Sequence, residues 1–269
     1  MKPSLYCALV LGCMAVAGCS SSSDTTTGKR IALDTKITTD PPATQSFANS
    51  QGWSISLRKA TISVGPLYYF DGATIFSYAA PKRKTPWDRI EEFLGIGVAY
   101  AHPGHYIPGN AKGQMLSPTS VDLVSGAVAL PVGDGVSGIV RSATFSYNVP
   151  PTGPQASALG SHLAVLEGTA TKGSDSRVFR AEIDDADVRN TENAIAVEGC
   201  PFTETDMEGD GVVTLTIKLP LWFDQVEFDS IPASTDGNPV LMPAETIGRK
   251  ELVRGMKAGD GYVFSYSEK

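Results

Sequence analysis

The sequence predicts an all-β fold, a β-sandwich of immunoglobulin-like or jelly-roll-like kind, and three observations carry that expectation. Apolar and polar residues alternate in Trp53-Ser-Ile-Ser-Leu57 and in Ala60-Thr-Ile-Ser-Val64, the period of a strand with one buried face. Comparable short runs recur along the chain at close to the regular spacing of a sandwich or barrel. The 269 residues include 27 glycines and 18 prolines, above the ordinary share of about 12% for the pair, which favours many turns over long helices.

Taken in order, the chain opens on Met1-Lys2 and an almost wholly apolar run from Leu5 to Ala17. About a dozen apolar residues are too few to cross a hydrocarbon core of ~30 Å but suit the core of an export signal. The run closes on Val16-Ala17-Gly18-Cys19, which resembles the bacterial lipobox. That resemblance implies a signal peptide over 1–18, cleavage before Cys19, and a diacylglyceryl group on the Cys19 thiol. Ser20 rather than an acidic residue follows, which in outer-membrane sorting systems implies passage to the outer membrane. Residues 19–29 read as a flexible tether: Ser20 to Gly28 is Ser/Thr-rich and polar, and has no apolar surface to bury.

Residues 30–269 read as a single sandwich domain, large enough to bury a core without disulfides. Strands are expected at Arg30–Thr38, Trp53–Leu57, Ala60–Val64, Leu67–Phe70 and Thr74–Tyr78, with an Asp71-Gly72 turn between the last two. A short helix or irregular insertion follows near 85–113, with Thr85 as cap, Pro86 at the first helical position and Gly95 at the end. Later strands are expected at Ser120–Leu123, Ala127–Leu130, Gly138–Tyr147, Leu159–Thr171, Ser176–Ile183, Ala194–Val197, Gly211–Leu219, Gln225–Phe228 and Gly261–Tyr266.

The formal net charge is -7, which argues against nucleic-acid binding and leaves the lipid as the means of membrane attachment. Of the cysteines at 7, 13, 19 and 200, only Cys200 lies in the predicted folded part; an intrachain disulfide is therefore excluded there.

The chemistry of the chain concentrates in Tyr100-Ala-His-Pro-Gly-His-Tyr106, which holds two of the three histidines. Pro-Gly is the preferred central pair of a type II turn, placing His102 and His105 at its corners with Cα atoms under ~7 Å apart. Imidazoles so placed can converge on one ion at ~2 Å, and imidazole suits Cu and Zn among others. His162, Cys200, a carboxylate, Tyr100 or Tyr106 is the expected further donor. The bland alternative is a rigid turn whose exposed histidines pack on tyrosines, with Cys200 a small buried apolar residue.

Other motifs are weaker. Asp206-Met-Glu-Gly-Asp-Gly211 resembles the start of an EF-hand loop, but the twelfth position is Ile217, which favours an acidic turn. Ser161-His162 with Asp184, Asp185 and Asp187 has the residue types of a hydrolase triad, but elbow, zincin and phosphate-loop motifs are absent; no catalytic residue is assigned and no enzyme is expected. Trp53, Trp87 and Trp222 are candidates for a sugar-stacking face, although Trp53 and Trp222 read better as core.

The segments Trp53–Phe70, Tyr100–Leu123 and Glu198–Phe228, with a Gly-Pro-Leu-Tyr strand before the His-Pro-Gly-His-Tyr loop, resemble a group of uncharacterised bacterial lipoproteins. The layout is also similar to the methanobactin-associated periplasmic copper-binding proteins. That second resemblance implies a β-sandwich in which His102, His105 and His162 would bind copper. The expectation is thus a lipid-anchored envelope protein that binds Cu or Zn through His102 and His105. The alternative is a metal-free surface module for polysaccharide or another envelope protein.

Overall fold

The computed structural model describes residues 28–74, 106–190 and 192–269. Among them, eight strands close into a barrel: β1 (Arg30–Thr39), β4 (Leu67–Phe70), β5 (Ala111–Met115), β7 (Val128–Val136), β8 (Gly138–Ser146), β11 (Ala196–Met207), β12 (Gly211–Ile217) and β14 (Tyr262–Glu268). Around the wall the order is β1-β12-β14-β11-β8-β4-β5-β7. A second sheet contains β2 (Phe47–Ala48), β3 (Ser54–Val64), β6 (Thr119–Asp122), β9 (Ala164–Lys172), β10 (Asp175–Ile183) and β13 (Val240–Leu241), in the order β13-β10-β9-β3-β2 with β6 paired to β3.

The expected sandwich is therefore corrected to a barrel with a second sheet. Alternation specifies which face of a strand is buried, but not which strand completes the circle. That is decided by β1, which pairs in parallel with β12 from Leu33↔Gly211 to Thr39↔Ile217 and antiparallel with β7. Eight strands enclose a space that side chains can fill. Leu33, Thr35 and Ile37 of β1 face inward and are buried, as are Val213, Leu215 and Ile217 of β12. Inside, Phe145 stacks on Tyr262 at 4.6 Å, and Phe202 and Phe264 flank Tyr69 at 5.7 and 5.9 Å. The outward positions of β1 are Arg30, Ala32, Asp34, Lys36 and Thr38, a mostly polar outer face for that strand.

The second sheet packs over the barrel end where β12 stops and β14 begins. Gly65, between β3 and β4, donates its backbone N–H to the Ser146 carbonyl at 2.7 Å. After the short helices α1 (Ala156–Leu159) and α2 (Asp185–Val188), helix α3 (Leu219–Phe223) follows β12 and links the layers: Trp222 meets Tyr262 at 5.7 Å and Phe223 meets Phe47 at 5.7 Å. Two expectations fail here. Gln225–Phe228 is a loop entering a 3-10 turn rather than a strand, and the helix at Ile247–Met256 has no counterpart in the sequence reading. Its apolar residues are few, with Gly248, Arg249, Leu252 and Met256 making its buried side.

Asn49 fastens the two layers. Its side-chain amide donates to the carbonyls of Phe223 at 3.1 Å and Val226 at 2.9 Å, while its oxygen accepts from the N–H groups of Gln51 and Trp53. All four hydrogen-bonding positions of a buried amide are thus filled. Asn49→Ala is expected to lower unfolding stability by about 2–4 kcal/mol, because two buried carbonyls lose their donor. Asn49→Asp should do at least as much harm, since a carboxylate cannot donate. Denaturant titration checks this; a loss within about 0.5 kcal/mol, the range of an ordinary surface change, would contradict it.

Candidate functional site

The Asp71-Gly72 pair, expected to turn a tight hairpin, instead forms one side of a neck. Beyond the last rungs of β4 and β5, Asp71 N–H donates to the Asn110 carbonyl at 3.1 Å and Gly72 N–H to the Pro108 carbonyl at 2.8 Å. The Asp71 carboxylate accepts from the Asn110 backbone N–H at 2.7 Å and from its side-chain amide at 3.0 Å. The Asn110 amide, with help from Lys112 and Arg141, holds the Asp71 carboxyl below its ordinary range. Gly109 crosses this neck at φ +76°, where a Cβ would collide with Asp71; only glycine adopts that backbone without strain.

Tyr100, His102 and His105 lie outside the described residues, as do the expected helix over Thr85–Gly95 and Trp87. Tyr106, directly after His105, is described and anchored. Ser142 Oγ donates to the Gly72 carbonyl at 2.5 Å and accepts from Tyr106 OH at 2.6 Å. The Tyr106 ring lies over Gly199, where an added Cβ would sit 3.5 Å from it. Burial raises the Tyr106 phenol above its ordinary pKa, and the neighbouring Cys200 and Glu198 add to the rise.

Cys200 lies in β11 and is fully buried; its Sγ–H donates to the Val197 carbonyl at 3.2 Å. Burial pushes the thiol up to about 12, so the thiolate that metals bind is disfavoured here. Nearby, Tyr147 OH donates to Tyr262 OH at 2.6 Å, and Tyr262 OH donates to the Met256 carbonyl at 2.6 Å. Burial raises both phenols. This is a packed polar chain in the core.

His162 stands elsewhere, beside the end of β10. Its Nδ1 is 2.6 Å from Asp184 Oδ1 and its Nε2 is 3.4 Å from Glu182 Oε2. Both ring nitrogens face carboxylates, and Ser161 is exposed with no bond to the ring. Asp187 accepts from the Asp184 N–H in the capping box of α2 (Asp185–Val188) and grips buried Arg249 through both carboxylate oxygens, at 3.1 and 2.7 Å. Of the acidic residues in the triad pattern, Asp187 thus clamps the long helix, Asp184 faces His162 and Asp185 pairs with Arg189. Sequence reading missed that clamp because Arg249 lies more than 60 positions from its partner.

Among the described residues, no group of three or more His, Cys, Asp or Glu side chains is placed to hold a metal ion. The EF-hand-like stretch is the turn between β11 and β12, and Asp210 Oδ1 is committed to the Ala32 N–H at 2.8 Å. Trp53 and Trp222 are wholly buried, so neither offers a ring to a sugar. What the arrangement does is brace Asp71–Gly72 against Pro108–Asn110 and fix Tyr106, the residue after His105, against Ser142.

The Cys200 geometry has a direct consequence. A thiol-specific reagent at pH 8 should leave the folded protein unmodified at Cys200 and react fully once denaturant is added. Because the thiol pKa is raised from 9.0 in folding, its contribution to stability is complete below about pH 9 and is lost as the pH climbs toward about 12. Rapid labelling of the native protein would contradict this burial.

No protein-family model matches the chain, and no curated protein does. Among solved structures the chain is similar to MbnP from Methylosinus trichosporium, at 11% sequence identity and a TM-score of 0.40, over 90% of this chain and 100% of that one. A likeness at that level assigns neither a family nor a function.

Proposed function

We propose that this chain is a lipid-anchored protein of the bacterial envelope, non-enzymatic, that binds Cu or Zn through His102 and His105. The observation that carries the reading is the anchored neck. Tyr106, adjacent to His105, is tied to Ser142 and Gly199, and Asp71 and Asn110 hold the two described flanking segments together. A donor pair whose stem is fixed loses less conformational freedom on binding an ion. Glu198, close enough to raise the Tyr106 phenol, is an oxygen donor on the same side of the barrel. Cys200 and His162 are not enlisted: one is enclosed in the core and the other is held by two carboxylates. The lipobox at Val16–Cys19 supplies the anchor and Ser20 the outer-membrane destination.

A second reading, a metal-free module for polysaccharide or another envelope protein, is favoured by one feature. The β5–β7 register pairs Gly113 with Gly135 and Gln114 with Asp134. Continued past Met115, it sets Leu116 beside Val132, and both are more than half exposed.

Elemental analysis of the purified chain separates the two. The metal reading predicts one equivalent of Cu or Zn, lost in His102→Ala/His105→Ala and retained in His162→Ala and Cys200→Ala. Trace metal unaltered by the double substitution sinks it. Partner capture that resists chelators but fails in Val132→Asp would establish the second reading.

A further inference from the structure

We infer that the barrel end bearing Gly28–Arg30 and the Asp71–Asn110 neck is the surface that touches the phospholipid bilayer holding the chain. The inference rests on the reading of Cys19 as a lipid anchor. Lys29 is pinned at this end: its carbonyl accepts from Ser137 N–H at 2.8 Å and its own N–H donates to Ser137 Oγ at 2.9 Å. Eight residues lie between Cys19 and Gly28, and the nine steps at ~3.3–3.6 Å each reach at most about 32 Å. A ten-residue strand such as β1 is itself roughly 30 Å long. The opposite end of the barrel could meet the bilayer only if the tether ran back along the whole wall, and that end is already covered by the second sheet.

The surface at the tethered end suits a lipid headgroup layer on one side. Ile107 is 75% exposed in the neck and Ile139 40% exposed just past the β7–β8 turn, near the cations Lys29, Arg30 and Lys112. Asp71 and Asp134 are the acidic groups of that side, and Asp71 is shared with Asn110 and Lys112. Asp206, Glu208, Asp210 and Glu268 line the same end around β11, β12 and β14. The barrel therefore leans on its β1–β7–β5 side, with apolar tips and lysine and arginine stems at the interface and the acidic side lifted from the lipid phosphates.

The test uses the processed, lipid-bearing chain in phosphatidylcholine vesicles that carry a nitroxide on a fraction of the headgroups. A fluorophore is placed at Ile107→Cys or, in the loop before β13, at Ala233→Cys, both exposed positions; Cys200 is buried and stays unlabelled. The expected result is emission roughly halved at position 107 and unchanged at 233, as for a group seated at a bilayer interface. Equal quenching at both sites, or quenching at 233 alone, overturns the inference while leaving an acylated Cys19 intact. Absence of acyl mass on Cys19, with protein that fails to float with vesicles, overturns the anchor reading and this inference together.

Discussion

The structure depends on the pairing of its first strand with its twelfth. β1 forms hydrogen bonds on both edges, to β7 on one side and β12 on the other. Sheet edges present unpaired backbone groups that invite association with other chains, and closure removes them for all eight wall strands at once. It also creates the interior in which Leu33, Tyr69, Phe145, Phe202, Leu215 and Phe264 are shielded from water. Those six residues come from six different strands, so this core is complete only when the circle is.

Closure also gives the barrel two unlike ends. At one, α3 carries Trp222 and Phe223 into the junction with the second sheet, Asn49 saturates the carbonyls around them, and Arg249 fastens the long helix to β10 through Asp187. At the other, the incoming chain is pinned at Ser137, and Asp71, Asn110 and Ser142 tie residues 71–72 to residues 106–110. The buried polar groups of the first end are structural. At the second end polar bonds join segments at the barrel rim instead of filling a core. His162 belongs to the charged face of the second sheet.

Strand positions were legible because alternation is local. β1, β4, β6, β8, β10, β12 and β14 fall close to their expected spans, since each shows one apolar face. Three features were not legible. β5, Ala-Lys-Gly-Gln-Met, lacks β-branched and aromatic residues and is held by its neighbours, with Gly113 pressed near Tyr69 and Leu33. β11 runs on through Gly199, Cys200 and Pro201, where register shifts against β8 accommodate residues that otherwise end strands. The long helix hides because it buries an arginine whose partner Asp187 no local pattern connects to it. The sandwich expectation failed for the same reason: barrel and sandwich share alternation and differ in long-range pairing. At the site, Pro-Gly marked the histidine loop, but Asp71 and Asn110, 39 positions apart, gave no sign of meeting.

Native-state amide hydrogen exchange tests the central claim most directly. If β1 closes the barrel, the amides of Leu33–Ile37 exchange only by global unfolding, as slowly as those of Val213–Ile217 in β12 and their partners in β14. Fast exchange along β1 while β12 and β14 remain protected would mean an open sheet with a loosely attached first strand, and would contradict the account.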